Sequence, residues 1–514
     1  MVSAIDKAKP FALLTAQAKN TSSGIDSTNK SGRFAGKPWA FSHGVIGVSS
    51  QKMVTEHSAN HSHELDLLAV DTNDATSLVS YDTLDRSRFI SGSNGDDNST
   101  KFGALYDIPL APLQTLASLN SANPGGSSGY LPRFAQPIGN SWAHPLIASD
   151  KMSETGPSGY NYLDHSFLLN LALYDGFYFS GLADQTGNFG SGKDSKTLAD
   201  AYAKGSPLDD LRIVLRPPNG KIASDFAQVV SQPTAYSNVA AWQVMNGAFN
   251  INSTSVPAWK AMLASIHDSQ AIVNQRANPA AVATAFSNLK PTPAGKARIS
   301  RMRLPGSASA ADGGDVKDAY WLGAREYTDA ELQKLAENIV NQVRLRGPFL
   351  SMGEFVNRRL GSSSDDMSQR GALQQAIDDS NLNSGIATAA AAGFDITADK
   401  IATYKYSNPK AGGGPSYQGA PGYLTQADLL NVLGNAATAR SDTFTIRGFG
   451  ESRDANGKLI ASAICEAVVQ RTVEWVDLAD AAETPIVSLT SASNRNFGRR
   501  FVVTSIRWLN ANEI

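Results

Sequence analysis

Residues 441–475, SDTFTIRGFGESRDANGKLIASAICEAVVQRTVEW, carry the clearest fold signal in the chain. Their first third alternates apolar and polar side chains, DANG supplies a turn, and a long apolar run follows. This pattern predicts a β-hairpin. Residues 497–509, FGRRFVVTSIRWL, alternate again and predict a third strand that forms an edge of the sheet. The sequence therefore predicts an antiparallel β-sheet over residues 441–514.

Short helices with marked starts precede this sheet. A Ser or Thr followed three residues later by an acidic residue is the capping-box pattern, in which each side chain bonds the other residue's backbone N–H. A Ser before a Pro in the first turn is a second start signal. These signals predict helix N-caps at four positions: Ser255, Thr328, Ser351 and Thr425. We predict a helical domain over residues 327–440, with Phe349 and Phe355 packing successive helices together.

The first half of the chain mixes strand and helix signals. Short apolar strings such as FALLTAQA (11–18) and ELDLLAV (64–70) lie between loops rich in Gly, Ser and Asn, which predicts a loop-rich β region over residues 1–158. Residues 160–180, YNYLDHSFLLNLALYDGFYFS, predict a buried helix followed by a strand at FYFS, within a mixed region over 159–326. The fold class predicted for the whole chain is α+β.

Composition limits the classes of partner. The 514 residues include 45 basic and 47 acidic ones, a net charge of -2, which argues against nucleic acid as a partner because such binding needs clustered Lys and Arg. Cys465 is the only cysteine, so no intramolecular disulfide forms, and its strand is predicted to be buried. Residues 1–19 are too short and too polar for a signal peptide or a membrane span, so the chain as given is expected to be soluble.

Three histidines in EHSANHSHELD make the candidate metal site. Imidazoles gathered at His57, His61 and His63, with carboxylates close by, are ligands that suit zinc. A metal-dependent hydrolase built on these residues is therefore one alternative. The other interpretation is a solvated loop that is rich in histidine.

Other motifs give weaker signals. Residues 187–195, GNFGSGKDS, have the glycine and lysine spacing of a phosphate-binding loop, but Asp194 stands where Ser or Thr should bind the metal. Acidic groups at 91–100, 362–368 and 378–385 could hold calcium, although none has EF-hand spacing. Asp164, His165 and Ser166 are consecutive, and a catalytic relay needs residues converging from separate elements. The residues therefore predict a non-enzyme without a cofactor.

Several segments together resemble the Verru_Chthon cassette protein A family of Verrucomicrobia. They are spread over nearly the whole chain: KPFALLTAQAK (9–19), YLDHSFLLNLALYDGFYFSG (162–181), GAFNINSTSVPAWKAML (247–263), RGPFLSMGEFVNRRL (346–360), GALQQAID (371–378), LTQADLLNVLG (424–434), ARSDTFTIRGFGES (439–452), AICEAVVQR (463–471) and NFGRRFVVTSIRWL (496–509). More distantly, NINSTSVPAWKAML and PFLSMGEFVNRRL are similar to helix starts of the minor pseudopilin K of type II secretion.

The resemblance implies a pilin-like β-sheet with a helical insertion, and a role as a structural component of a type II secretion or type IV pilus-like machine. Its expected partners are pilin-like proteins, in the periplasm or at the cell surface. Members usually carry an N-terminal membrane helix, so this chain is expected to be a C-terminal portion or a short member that meets the membrane only through a segment it lacks. Trp475, Trp508 and strand 497–509 are the expected contacts. An extracellular adhesin or carbohydrate-binding protein stays open as an alternative, because Tyr, Trp and Asn are plentiful.

Overall fold

A computed structural model describes residues 113, 115–119, 138–155 except 145, 161–186, 191–265, 295–300, 324–384, 406–412, 423–510 and 513, together with the backbone of short strands elsewhere. The described chain has both helices and small antiparallel sheets, so its class is α+β. It divides into two compact units. The first comprises residues 1–179 and 251–439, and the second comprises residues 180–250 and 440–514.

The strands are mostly short. In chain order they are β1 Ala12–Ala18, β2 Ile46–Val48, β3 His63–Ala69, β4 Ser80–Tyr81, β5 Ser87–Arg88, β6 Phe102–Tyr106, β7 Ser153–Thr155, β8 Asn161–Asp164, β9 Ile213–Leu215, β10 Gln243–Met245, β11 Phe249–Asn250, β12 Ile272–Gln275, β13 Ala285–Asn288, β14 Ala297–Ser300, β15 Ala324–Tyr327, β16 Ala437–Thr438, β17 Thr443–Arg453, β18 Leu459–Trp475 and β19 Arg499–Leu509. In the first unit, β3, β1 and β6 form one antiparallel sheet and β2, β8 and β7 another.

The helices are α1 His165–Leu173, α2 Ser195–Ala203, α3 Phe226–Val230, α4 Ala235–Asn238, α5 Val256–Ala264, α6 Asp329–Arg346, α7 Met352–Val356, α8 Ala372–Asp379, α9 Gln426–Leu433 and α10 Ala492–Phe497. Within the described ranges, none of them combines the length and the apolar character that a bilayer crossing requires.

Helix α6 is the longest and organises the first unit. Its N-terminus is a capping box in which the Thr328 hydroxyl accepts from the Glu331 N–H, and the Glu331 carboxylate accepts from the Thr328 N–H. Acidic residues lie in its first turn and Arg344 and Arg346 in its last, which complements the helix dipole. One face is buried along its whole length: Leu332, Leu335, Ala336, Ile339, Val340 and Val343.

The other three predicted helix starts use the same local chemistry. The Ser255 hydroxyl accepts from the Ala258 N–H at the start of α5, and Thr425 forms a capping box with Asp428 at the start of α9. At α7 the Ser351 hydroxyl accepts from the Glu354 N–H, but the Glu354 carboxylate accepts from the Leu350 N–H rather than from Ser351. At each of these four helix starts, the N-cap side chain therefore bonds a backbone N–H of the first turn, and this bond needs only neighbouring residues.

Aromatic side chains pack the helices of the first unit. Phe349 and Phe355 meet edge to face with ring centroids 5.2 Å apart, and Trp259 of α5 stacks on Phe355 at 6.3 Å. Asn252 fixes this junction, because its amide nitrogen donates to the Phe349 carbonyl at 2.9 Å and its oxygen accepts from the Phe349 N–H at 2.6 Å. A side chain 97 residues away thus completes the backbone pairing of Phe349.

The second unit has a small helical core and a long sheet. The core surrounds Phe226 and Trp242, whose ring centroids lie 5.7 Å apart, and it includes residues from α2, α3 and β9. The sheet has the strand order β17-β18-β19, and both pairings are antiparallel. The predicted hairpin and third strand are therefore confirmed.

Three details of the sequence interpretation were wrong. FYFS, residues 177–180, forms no strand, and Phe177 and Tyr178 are exposed. The third strand begins at Arg499 rather than at 497, since α10 runs to Phe497 and a left-handed Gly498 turns the chain into the strand. Cys465 is only partly buried, because β18 lies in a sheet whose faces are largely open.

Candidate protein-binding surface

The register of the C-terminal sheet assigns every side chain to one of two faces. Arg447 lies opposite Glu466, which lies opposite Arg507, and in the next row Ile446 lies opposite Ala467, which lies opposite Ile506. Because successive residues of a strand point to opposite faces, these two rows are on different sides of the sheet. The two sides differ sharply in charge.

The charged face carries an ion-pair ladder. Glu466 accepts from Arg447 at 2.8 Å and from Arg507 at 3.0 Å, so one carboxylate ties all three strands together. The hydrogen bond from Arg447, followed by that from Arg507, lowers the pKa of the Glu466 carboxyl. The two arginine side chains are each 53% exposed, so the ladder lies at the surface, where ion pairs contribute little to stability but keep a face soluble.

The opposite side is what we call the apolar face. It consists of Phe444, Ile446, Cys465, Ala467, Val469, Phe501, Val503, Ile506 and Trp508. Its large members are strongly exposed: Ile446 by 54%, Ile506 by 69% and Trp508 by 73%. Phe444 and Phe501 contact each other across it, with ring centroids 6.2 Å apart. At one end of this face, Arg471 of β18 lies opposite Phe501 and brings a charged side chain to its border.

The apolar face is shaped like a trough. Its floor is the central strand β18, where Ala461, Ala463, Cys465 and Ala467 are small. Large side chains of β19 form one wall, and Phe444 with Ile446 forms the other. Neighbouring strands lie about 4.8 Å apart, so the bases of the walls are separated by roughly 10 Å, close to the diameter of an α-helix, and the walls meet at one end, where Phe444 contacts Phe501.

The two tryptophans expected as contacts have different environments. Trp475 is only 4% exposed, its indole N–H donates to the Ala481 carbonyl at 3.1 Å, and the Arg499 guanidinium lies 3.7 Å from its ring centroid. It belongs to the packing of the unit. Trp508, at the far end of the sheet, presents its ring on the apolar face.

The candidate metal ligands fall largely outside the described residues. His57 and His61 lie outside them, and His63 is the first residue of β3, opposite Ala18. Among the residues that the structure describes, no group of three His, Cys, Asp or Glu side chains is placed to hold a metal ion. Apart from the backbone of His63, the predicted metal site therefore lies outside the described residues.

The acidic segments proposed for calcium are partly described. Residues 91–100 lie outside the described chain. In 362–368, Asp365 caps a 3₁₀ turn by accepting from the Met367 N–H, and Asp366 pairs with Lys410 at 2.6 Å. In 378–385, Asp378 pairs with Arg370 and also accepts from Gln374. These carboxylates are engaged by protein donors.

Buried polar side chains gather in the helical unit. Gln374 and Gln426 bond reciprocally, because each side-chain oxygen accepts from the other residue's backbone N–H at 3.1 and 2.9 Å. The Gln426 amide nitrogen also donates to the Gly139 and Val356 carbonyls. These bonds join α7, α8, α9 and the segment before β7, so the buried amide groups have protein partners.

An ion pair is buried in the same unit. Arg358 and Asp164 are each 1% exposed at the side chain and lie 3.1 Å apart, and Arg358 also donates to the Ser149 and Lys151 carbonyls. Asp164 in turn accepts from the Phe167 N–H as the N-cap of α1. The consecutive residues Asp164, His165 and Ser166 therefore lie at the start of α1, and Asp164 pairs with Arg358.

In the loop that resembles a phosphate-binding motif, Asp194 has a structural role. Asp194 is the N-cap of α2, and its carboxylate accepts from the Thr197 N–H at 2.7 Å. A carboxylate in this position occupies the amides that a phosphate would need.

No family model, curated protein or solved structure matches this chain.

The sequence interpretation predicted the strands but did not combine their apolar residues into one face. A signal was present, since TFTI, ICEAVV and FVVTSIRW each place apolar residues at every second position. Recognising the face needed the register that puts Ile446, Ala467 and Ile506 in one row.

Proposed function

We propose that this protein is a non-enzymatic structural component of a pseudopilin-like envelope machine of the type II secretion or type IV pilus kind, and that it acts through protein contacts on the apolar face. Its location is extracytoplasmic, and its partners are pilin-like proteins. The single observation that carries the proposal is the open, uncharged face formed by β17, β18 and β19.

The area of this face supports a role in binding. Six large apolar side chains on it are each between 39% and 73% exposed: Phe444, Ile446, Phe501, Val503, Ile506 and Trp508. Together they expose on the order of 600 Å² of apolar surface, at the upper end of the largest patch found on monomeric proteins. An apolar surface of this size is unfavourable in water and lowers solubility. Its presence on a folded protein therefore favours a role in binding another molecule.

The form of the trough favours a helix as the occupant. The β19 wall extends from Trp508, opposite Cys465, to Phe501, opposite Arg471, which is six residue steps or roughly 20 Å, the length of about 13 helical residues. Because the floor is small and lacks charge, a charged helix face would lose its hydration there without a compensating partner. An uncharged helix is therefore the complementary ligand.

The family resemblance supports the class of partner. Proteins with prepilin-type N-termini carry such apolar helices, and the resemblance implies that this chain is encoded beside proteins of that kind. The sheet is antiparallel and helices α6 to α9 lie within residues 327–440, which is compatible with a pilin-like sheet that carries a helical insertion.

Site-specific photocrosslinking tests the proposal. A benzophenone side chain is placed at Ile506, on the apolar face, in the full chain expressed in its source cells. We expect irradiation to join it to a small protein with a prepilin-type N-terminus, identified by mass spectrometry with the crosslink in that protein's apolar helix.

The matched control is the same photoreactive side chain at Ser505. Ser505 is exposed and adjacent in sequence, but it lies opposite Val468 on the charged face. Equal crosslinking from both positions, or crosslinking from Ile506 to proteins without such a helix, would contradict the proposal.

A further inference from the structure

The two edges of the C-terminal sheet are not equivalent. Strand β17 pairs with β18 on one side and has no strand on the other within the described chain, and all eleven of its residues are exposed. Its outward N–H and C=O groups are therefore open to pairing. An exposed, regular edge strand is the surface on which proteins add a strand from another chain.

The opposite edge, β19, is protected by two features. Its pairing with β18 is interrupted at Thr504, where a register shift leaves one residue unpaired. It also carries Arg499, Arg500 and Arg507 without an acidic residue, so two such strands would repel each other. Strand β17 has neither feature, since its register shift comes only at its end, between Ser452 and Arg453.

We propose that β17 pairs antiparallel with β17 of a second copy of this chain, around a two-fold axis through Phe449. The inference concerns the edge of the sheet and does not depend on what occupies the apolar face. Side chains directly opposite each other in an antiparallel pair share a face, so a two-fold pairing must be centred on a residue. The apolar faces of both copies then continue into one six-stranded sheet.

Charge selects Phe449 as the centre. This register places Arg447 of each copy opposite Glu451 of the other, which gives two opposite-charge pairs. Centring on Gly450 would place Arg447 opposite Arg453 of the second copy, which sets like charges opposite each other. Centring on Arg447 would place it opposite Arg447 of the second copy, and centring on Glu451 would do the same for Glu451. Centring on Gly448 would place Arg447 opposite Phe449 and make no ion pair.

The side chains at this centre suit a close approach. Phe449 is 64% exposed on the charged face, and pairing would cover it with the same side chain of the second copy. Gly448 falls opposite Gly450, and glycine within a strand marks places where another backbone comes close. A side chain at Gly450 would meet no atom within 4 Å in the single chain, so nothing inside the unit requires glycine there.

Sedimentation of charge variants tests the pairing. We expect the wild-type chain to form dimers at micromolar concentration, because one strand pair buries a small interface. Glu451→Arg and Arg447→Glu each set like charges opposite one another, so each should raise the dissociation constant about tenfold or more. A 1:1 mixture of the two variants restores both opposite-charge pairs and should recover dimers.

Recovery in the mixture separates lost charge pairing from damage to the sheet, which mixing cannot repair. Both residues also have partners within the chain, since Arg447 binds Glu466 and Glu451 accepts from Arg453, so recovery in the mixture is the decisive readout. A wild-type chain that stays monomeric throughout, or variants that dimerise as the wild type does, would overturn the proposal.

A disulfide test fixes the register. In a Cys465→Ser background, Phe449→Cys puts two thiols opposite each other, with Cα atoms about 5 Å apart, and should give a covalent dimer under mild oxidation. Thr445→Cys is the control on the same face and strand. Its two copies would lie roughly 27 Å apart and should not crosslink. Equal crosslinking at both positions would show association without this register and overturn the proposal.

Discussion

Glu466 and Ala467 are consecutive residues of β18 that lie on opposite faces of the C-terminal sheet. Glu466 is held between Arg447 and Arg507, whereas Ala467 lies between Ile446 and Ile506. One step along the chain thus separates a solvated ion-pair ladder from the floor of an uncharged trough. Because three strands keep this alternation in register, the apolar face is a property of the whole sheet.

The floor of the trough should be chemically accessible at Cys465. Since this is the only cysteine and it is partly exposed, maleimide should label the folded chain at a single site. Gly448→Val should slow labelling several-fold, because a Cβ at Gly448 lies 3.2 Å from the Cys465 sulfur. Gly450→Val is the control and should leave the rate unchanged, since its Cβ meets nothing within 4 Å. Equal rates in both variants would argue against the geometry of the floor.

The buried pair of Arg358 and Asp164 should be important for the stability of the helical unit. Arg358→Leu leaves the Asp164 carboxylate buried without its cation and should lower the free energy of unfolding by about 3–5 kcal/mol. Chemical denaturation followed by circular dichroism measures this change. Lys410→Ala, which breaks the exposed pair with Asp366, should cost less than about 1 kcal/mol. Similar losses in the two variants would contradict the role given to burial.

The capping box of α6 should contribute locally. Thr328→Ala removes the acceptor for the Glu331 N–H and should lower the free energy of unfolding by about 1 kcal/mol. Thr328→Ser keeps a hydroxyl in the same position and should retain most of that stability. Thermal unfolding measures the stability of the wild type and both variants. An alanine variant as stable as the wild type would show that the capping box does not stabilise this helix.

The loop between β18 and β19 should be sensitive to acid. Hydrogen bonds from the Thr490 hydroxyl, the Asn494 side chain and the Thr490 N–H lower the pKa of Asp480. A lowered carboxyl pKa stabilises the folded loop fully above the unfolded value of about 3.9, and this stability is lost as pH falls from there through the lower folded value.

Carboxyl carbon chemical shifts of Asp480 measured by NMR check this expectation. Asp480→Asn should remove the acid dependence of amide protection at Thr490 and Ser491, because both amides donate to this carboxylate. A titration of Asp480 at or above its unfolded value would contradict the geometry of the loop.

Local signals explain which parts of the fold could be predicted. Thr328 with Glu331 and Thr425 with Asp428 mark helix starts because a capping box needs only neighbouring residues. The hairpin of β17 and β18 followed from alternation and a turn for the same reason. By contrast, FYFS has strand propensity, yet no neighbouring strand pairs with residues 177–180 in the described chain.

Long-range contacts explain what could not be predicted. Asn252 bonds Phe349, which is 97 residues away, and no local pattern predicts that partner. The joining of residues 180–250 with 440–514 into one unit also leaves no periodic trace in the sequence. The exposure of Phe444 and Ile446 could not be predicted for a similar reason, since alternation shows which residues share a face but not whether anything covers that face.

Quantitative co-purification measures the role of the apolar face most directly. The tagged full chain, Ile506→Glu and Ser505→Glu are isolated from their source cells, and pilin-like proteins are counted by mass spectrometry. We expect the wild type and Ser505→Glu to retain them and Ile506→Glu to lose at least about tenfold, since a charge would be buried in the trough. Full retention by a folded Ile506→Glu variant would contradict the assignment of this face as the binding surface.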